Sequence, residues 1–206
     1  MLSCAFKHKG DCVVLAGGKS VDYIPKEFYR GKFVIGVNQA GRRIEPDITV
    51  RKEFVKDEGV PVYASLHSCG SVNHPCNPQG PNITLFDHND NKGEGPIDTI
   101  GCHPSGEKVI VGGSTITSAI HLAAIMGFTT INLVGHDLCQ VDGENNFDGY
   151  YDDVLAFYEK DGYARWLDSI AWQTRFVSNY VFDVYGAVVV TVSPFFGLKA
   201  EGHVSK

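Results

Sequence analysis

The stretch VVLAGGKS, Val13 to Ser20, runs from an apolar β-branched segment straight into a glycine pair, a lysine and a hydroxyl. It ends in the Gly-Lys-Ser that closes a phosphate-binding P-loop, whose full signature opens with a further glycine at the position held here by Val13. With Val13, Val14 and Leu15 reading as the strand itself, the long glycine-flanked turn that aims successive N–H groups at phosphates is missing. What remains is a tight strand-to-helix turn, Ala16-Gly17-Gly18-Lys19-Ser20, of the kind that holds an anion against a helix N-terminus in other nucleotide-binding folds.

Apolar, β-prone runs recur outward from this turn, at Cys12–Leu15, Phe33–Val37, Ile48–Val50, Val62–Ala64, Val109–Val111, Ile131–Val134 and Ala187–Val192. Most are continuous runs without in-out alternation, the pattern of strands covered on both faces in a parallel α/β sheet. Two helices are expected between them. The first opens at Ser114 or Thr115, carries Ile116, Ile120, Ala123 and Ala124 on a nearly all-round apolar surface, and ends at Gly127. The second spans about Tyr163 to Tyr185, with Leu167, Ile170, Ala171, Thr174, Val177, Val181 and Val184 on one stripe, and ends at Gly186. His121 lies inside the first helix and reads as a packed residue, not a catalytic one. The expectation is a single Rossmann-like nucleotide-binding domain over residues 1–206, a mostly parallel sheet with helices on both faces, interrupted by an irregular Gly/Pro/Asn-rich insertion around 65–107.

Composition narrows the partners. A formal charge of −6 with no block of like charges argues against a nucleic-acid-binding surface, while Lys19, Arg42, Arg43 and Arg51 could still form a local basic pocket. No apolar run reaches membrane-spanning length and the N-terminal residues lack a signal-peptide core, so a cytoplasmic protein without a membrane span is expected. The six cysteines read as free thiols. His67, Cys69, His74 and Cys76, in HSCGSVNHPC, are types that bind zinc, but their His-x-Cys spacing is not a common zinc pattern, and no metal ligand is assigned from it.

Ligands of open α/β sheets bind outside the carboxyl ends of the strands, where strand order reverses. The elements that fall at such ends are the Gly17–Ser20 turn, Asn38 and Gln39 in GVNQAG, Gly113, Ser114 and Thr115 in GGST, and Gly135, His136 and Asp137 in LVGHDL. Each residue has a purely structural alternative: Asp137 as a turn cap, Asn38 in left-handed geometry, Ser114 as an N-cap. Adjacent Asp152 and Asp153 read as a helix start, not as a metal motif.

VVLAGGKSVD, VIGVNQA, EPDITV and GGSTITSAIHLAAIMGFTTINLVGHDL, in this order and spacing, resemble a superfamily that joins two groups of enzymes. One comprises bacterial sialyltransferases that use a CMP-activated sugar; the other is related to archaeal 6-hydroxymethylpterin diphosphokinase and to motility accessory factors. The resemblance covers most of the chain outside 65–107. The family's first turn is usually Gly-x-Gly-Pro-Ser-Leu, and Ala16, Gly18, Lys19, Ser20 and Val21 occupy those places here. By this resemblance Gly17, Gly18, Lys19, Ser20, Asn38, Gln39, Gly113, Ser114 and Thr115 would line a nucleotide, Asn38-Gln39 reading a base or ribose edge, and Asp137 would stand at the family's Gly-x-Asp aspartate. The sialyltransferases' downstream histidine base has no counterpart in YARWLDSI. The resemblance implies a nucleotide-dependent transferase, foremost a glycosyltransferase acting on a nucleotide or nucleotide-sugar with a small-molecule or glycan acceptor. The alternatives are a diphosphokinase with Mg²⁺ on Asp137, or a binding module without catalysis.

Overall fold

The structure, a computed structural model, describes residues 7–51, 60–65, 83–86, 88–90, 109–112, 114–150 and 163–192. Its frame is a seven-stranded sheet in the order β5-β4-β3-β2-β1-β8-β9. The strands are β1 (Asp11–Leu15), β2 (Phe33–Val37), β3 (Ile48–Arg51), β4 (Val62–Ser65), β5 (Ile83–Phe86), β8 (Thr130–Val134) and β9 (Val188–Val192). Every neighbouring pair is parallel. The α/β Rossmann-like expectation is met. Asp47 sets the start of β3 against β2: its carboxylate accepts from Val34 N at 2.7 Å while its own N–H donates to Val34 O at 2.8 Å.

In β1, β2 and β8 alternate residues supply two cores, while β3 and β4 contribute to the first alone. Cys12, Val14, Ile35, Val37, Ile48, Val50, Ile131 and Leu133 face one way, against α1 (Thr115–Met126) and α2 (Tyr163–Tyr185). Every residue of α1 is buried, because the helix lies between the sheet, α2 and the short strand β7 (Val109–Val111). This is the reason its apolar surface runs all round. Its C-terminus closes in a Schellman arrangement, with Gly127 at φ 102°, Gly127 N on Ala124 O at 3.0 Å and Phe128 N on Ala123 O at 3.2 Å. Gly186, at φ 68°, ends α2 in a similar way, with Ala187 N on Val181 O at 3.1 Å.

The opposite face carries Val13, Leu15, Val34 and Val134 beneath Val21, Ile24, Tyr29, Ala40, Phe147 and Tyr150. Apart from Ile24, which caps the first of them, these covering residues belong to three 3-10 helices, Lys19–Tyr23, Lys26–Tyr29 and Asn38–Arg42, and to residues 141–150. The helix expected directly after the Gly17–Ser20 turn is therefore a five-residue 3-10 helix.

Two other readings are corrected. The stretch 65–107 is not wholly irregular: it contributes β5, an edge strand of the sheet, and β6 (His88–Asp90). β7 pairs with β6 in a separate two-stranded ladder and so lies outside the main sheet. Its backbone is satisfied on the other side by polar residues of α1. Ile110 N donates to His121 Nδ1 at 2.9 Å, Gly112 N to Thr117 Oγ1 at 2.9 Å, and Ser118 Oγ donates to Ile110 O at 3.1 Å. His67, Cys69, His74, Cys76, Gly113, Asp152 and Asp153 lie outside the described residues.

Candidate functional site at the carboxyl edge of the sheet

From β1 the chain steps through β2, β3, β4 and β5 in one direction, then returns to place β8 on the other side of β1. The switch in strand order therefore falls between the carboxyl ends of β1 and β8. Leu15 is opposite both Gly36 and Val134, so the turns after β1, β2 and β8 leave the sheet at one level. α1 runs antiparallel to β8 and feeds it through Gly127–Thr129, which brings its N-cap, Ser114, to this edge as well. Ser114 Oγ accepts from Ile116 N at 3.3 Å, and Thr115 behind it is buried.

The turns of β1 and β8 are joined directly. Gly18 N donates to Gly135 O at 2.8 Å and Ser20 N to Asp137 Oδ2 at 2.8 Å, while the Ser20 hydroxyl makes a short hydrogen bond to Asp137 Oδ1. Both carboxylate oxygens of Asp137 thus rest on Ser20, and the aspartate ties the first turn to the turn after β8. The glycines follow from this closeness. A Cβ on Gly18 would meet Gly135 O and the Asp137 carboxylate, and one on Gly17 would enter the Tyr150 ring. Gly135, at φ 71°, has Val21 and Ala16 O in the way of any side chain. Where the sequence suggested glycines that leave room for a phosphate, the structure brings Tyr150, Gly135 and Asp137.

Lys19 points into a network of charges. Its Nζ lies 2.6 Å from Asp148 Oδ1 and 3.1 Å from Asp22 Oδ2, and Arg43 Nη2 lies 3.1 Å from Asp22 Oδ1. Arg42 Nη1 donates to the carbonyls of Gly149 at 3.3 Å and Tyr150 at 3.0 Å. Asn146 Nδ2 and Phe147 N both donate to Gly17 O, at 2.8 and 3.1 Å, and Asp148 N donates to Asp22 Oδ2 at 3.2 Å. Residues 141–150 are thereby strapped across the first turn. The hydrogen bond from Lys19 holds the Asp148 carboxyl below the usual carboxylate range, and the same bond raises Lys19 above the usual lysine range against the opposing effect of its burial.

Asn38 sits at φ 55° as the first residue of its 3-10 helix, and it and Gln39 are half-buried at the end of β2. Left-handed geometry is a position where asparagine costs little. Arg51, buried, ends β3 one residue beyond the Val37–Val50 pair. His136, between Gly135 and Asp137, has Nε2 2.9 Å from Thr174 Oγ1 on α2.

Gly17, Gly18, Lys19, Ser20 and Asp137 thus form one cluster, with Asn38, Gln39, Ser114 and Thr115 at strand or helix ends on the same edge. Sequence reasoning missed Asp22, Asn146, Asp148 and Tyr150. Asp22 had a local signal, three residues after Lys19 on the same helix face; the strap residues had none, because VDGENNFDGY has no periodicity and its contacts reach back across the chain. The chain matches no family model, no curated protein and no solved structure.

Proposed function

We propose that the chain is a nucleotide-dependent transferase, and more narrowly a glycosyltransferase that takes a CMP-type activated sugar. The observation that carries the reading is the convergence of the turns after β1, β2 and β8 and of the α1 cap on one edge of an all-parallel sheet, at its switch in strand order. The resemblance in VVLAGGKSVD, VIGVNQA and the GGST-to-GHDL stretch supports the same site. In this reading Asn38 and Gln39 read the base or ribose, Lys19 stabilises the departing phosphate, and the acceptor lies near Asp137.

One observation favours a second reading, a nucleotide- or sugar-binding module without transfer: the carboxylate given the acceptor already has both oxygens on Ser20. The Mg²⁺-dependent diphosphokinase reading fits less well, since a metal on Asp137 would share the carboxylate with two hydrogen bonds from Ser20. Among the described residues no cluster of metal-ligating side chains stands ready beside it.

A thermal-shift screen of CMP, UDP, GDP and ATP, each with and without Mg²⁺, separates these readings. A ligand at a hundred times its dissociation constant raises stability by about 2.7 kcal/mol. Stabilisation by CMP without metal supports the transferase, and stabilisation by ATP only with Mg²⁺ supports the diphosphokinase. Binding of a CMP-sugar with no release of CMP over hours leaves the binding module.

A further inference from the structure

The Lys19 side chain is mostly covered, 11% exposed, yet its partner at 2.6 Å, Asp148, is 82% exposed. A covered cation needs a counter-charge. Asp22 supplies one from the same 3-10 helix, 3.1 Å away and 13% exposed, but shares it with Arg43. Asp148 supplies the other from a loop 129 residues along the chain. An ion pair with one partner in open water is screened and exchanges at little cost. The cations Lys19, Arg42 and Arg43 all engage the strap or its anchor Asp22, and among the described residues the carboxylates paired with them are Asp22 and Asp148.

We propose that Lys19 is a phosphate-binding position whose place is held by the Asp148 carboxylate, and that a ligand's diphosphate or terminal phosphate displaces Asp148 and loosens the strap 141–150. The proposal rests on the nucleotide reading of this edge and adds to it the residue that competes with the ligand. A phosphate group brings up to two negative charges and three acceptor oxygens where the carboxylate brings one charge and two. Lys19 has three N–H donors for them, and Arg43, whose side chain is 39% exposed, is within reach of the same anchor. Once Asp148 leaves Lys19, the strap keeps its hydrogen bonds to Gly17 O and the Arg42 contacts but loses its one ion pair to Lys19.

The test is calorimetric titration of inorganic pyrophosphate into the wild-type chain, Asp148→Asn, Lys19→Gln and the double variant, with parallel titrations of CMP and ATP. Because Asp148 is exposed, Asp148→Asn folds, which a thermal melt verifies. Removing the competitor should tighten pyrophosphate binding roughly three- to tenfold, Lys19→Gln should weaken it by about tenfold or more, and the double variant should lose the gain from Asp148→Asn. Hydrogen exchange at the Asp148 amide, which donates to Asp22 Oδ2, should quicken when wild-type protein is saturated with pyrophosphate. Unchanged or weaker affinity in Asp148→Asn, or no pyrophosphate binding by either protein, overturns the proposal. Pyrophosphate binding with this pattern while neither nucleotide binds sinks the nucleotide reading and keeps the phosphate position. Nucleotide binding indifferent to Asp148→Asn does the reverse.

Discussion

Asp137 and Ser20 show how a residue that looks catalytic in sequence can be bound up in the fold. A carboxylate accepting a backbone N–H and a hydroxyl makes charge-assisted hydrogen bonds worth more than neutral ones. Asp137→Ala leaves the Ser20 N–H without its acceptor, and a loss of about 1–3 kcal/mol in denaturant unfolding is expected; an unchanged midpoint would mean that the clamp contributes nothing. Asp137→Asn keeps one acceptor oxygen and should cost less, so any fall in turnover of roughly a hundredfold in that folded variant belongs to chemistry. The ion pair on the strap has its own signature. Asp148's pKa is depressed, so its contact with Lys19 is complete above the ordinary aspartate range and is lost as pH falls through the depressed value. Lys19's is raised, so on the alkaline side the contact persists until pH climbs through that raised value. A carbon-13 titration of the Asp148 carboxyl should show a midpoint below that of the unfolded chain, and coincident midpoints would contradict the contact. At this scale the sequence singled out two turns, Gly17–Ser20 and Gly135–Asp137, that the structure joins. It could not show that Gly17 and Gly18 accommodate Tyr150 and Asp137, because those partners come from far along the chain.

Among the elements, α1 was the most legible, since an N-cap serine, an unbroken apolar run and a terminal glycine are all local signals. What they did not reveal is that its polar residues have a strand to serve. His121 is fully buried, accepts from Ile110 N on Nδ1 and therefore presents Nε2–H to Tyr185 Oη, 3.1 Å away. Burial pushes its pKa down to about 3. In the unfolded chain this imidazole takes a proton near its ordinary value of 6.5, whereas the fold holds it neutral. Between the two values the unfolded state binds more protons, so stability must fall as pH drops, by on the order of 1 kcal/mol per pH unit from this residue. His121→Leu removes that slope and orphans the buried Ile110 N–H, for a loss of about 1–3 kcal/mol at neutral pH. Parallel unfolding curves for the two proteins from pH 7 to pH 4 check both statements, and identical pH slopes would contradict the first. Gly127→Ala, at φ 102°, should cost about 1 kcal/mol in the same assay. The 3-10 helices were less legible. A segment closed on both sides by glycine or proline, as Lys19–Tyr23 is by Gly18 and Pro25, has too few residues to complete an α-helix.

For the molecule as a whole, the parallel sheet could be read from apolar runs because β1, β2, β3 and β8 are buried along nearly their whole length. β9 reads the same in sequence but lies at the end of the sheet, where Val188 is 45% and Val190 is 41% exposed. Apolar composition cannot distinguish a central strand from an edge strand. β5 was passed over because Ile83–Phe86 is only four residues long, within a stretch dominated by Gly, Pro and Asn. Strand order, which no local pattern encodes, is what places the switch between β1 and β8 and with it the candidate site. No described helix is long and apolar enough to cross a membrane.

The site at that switch is tested most directly by hydrogen–deuterium exchange of the whole chain with and without saturating CMP. The expected result is slowed exchange confined to the amides of Gly17–Val21, Asn38–Arg43 and the first turn of α1, the segments that the sheet order brings to one edge. Binding of CMP with protection elsewhere on the sheet, or with none at these three segments, would contradict a nucleotide site at the carboxyl ends of β1 and β8.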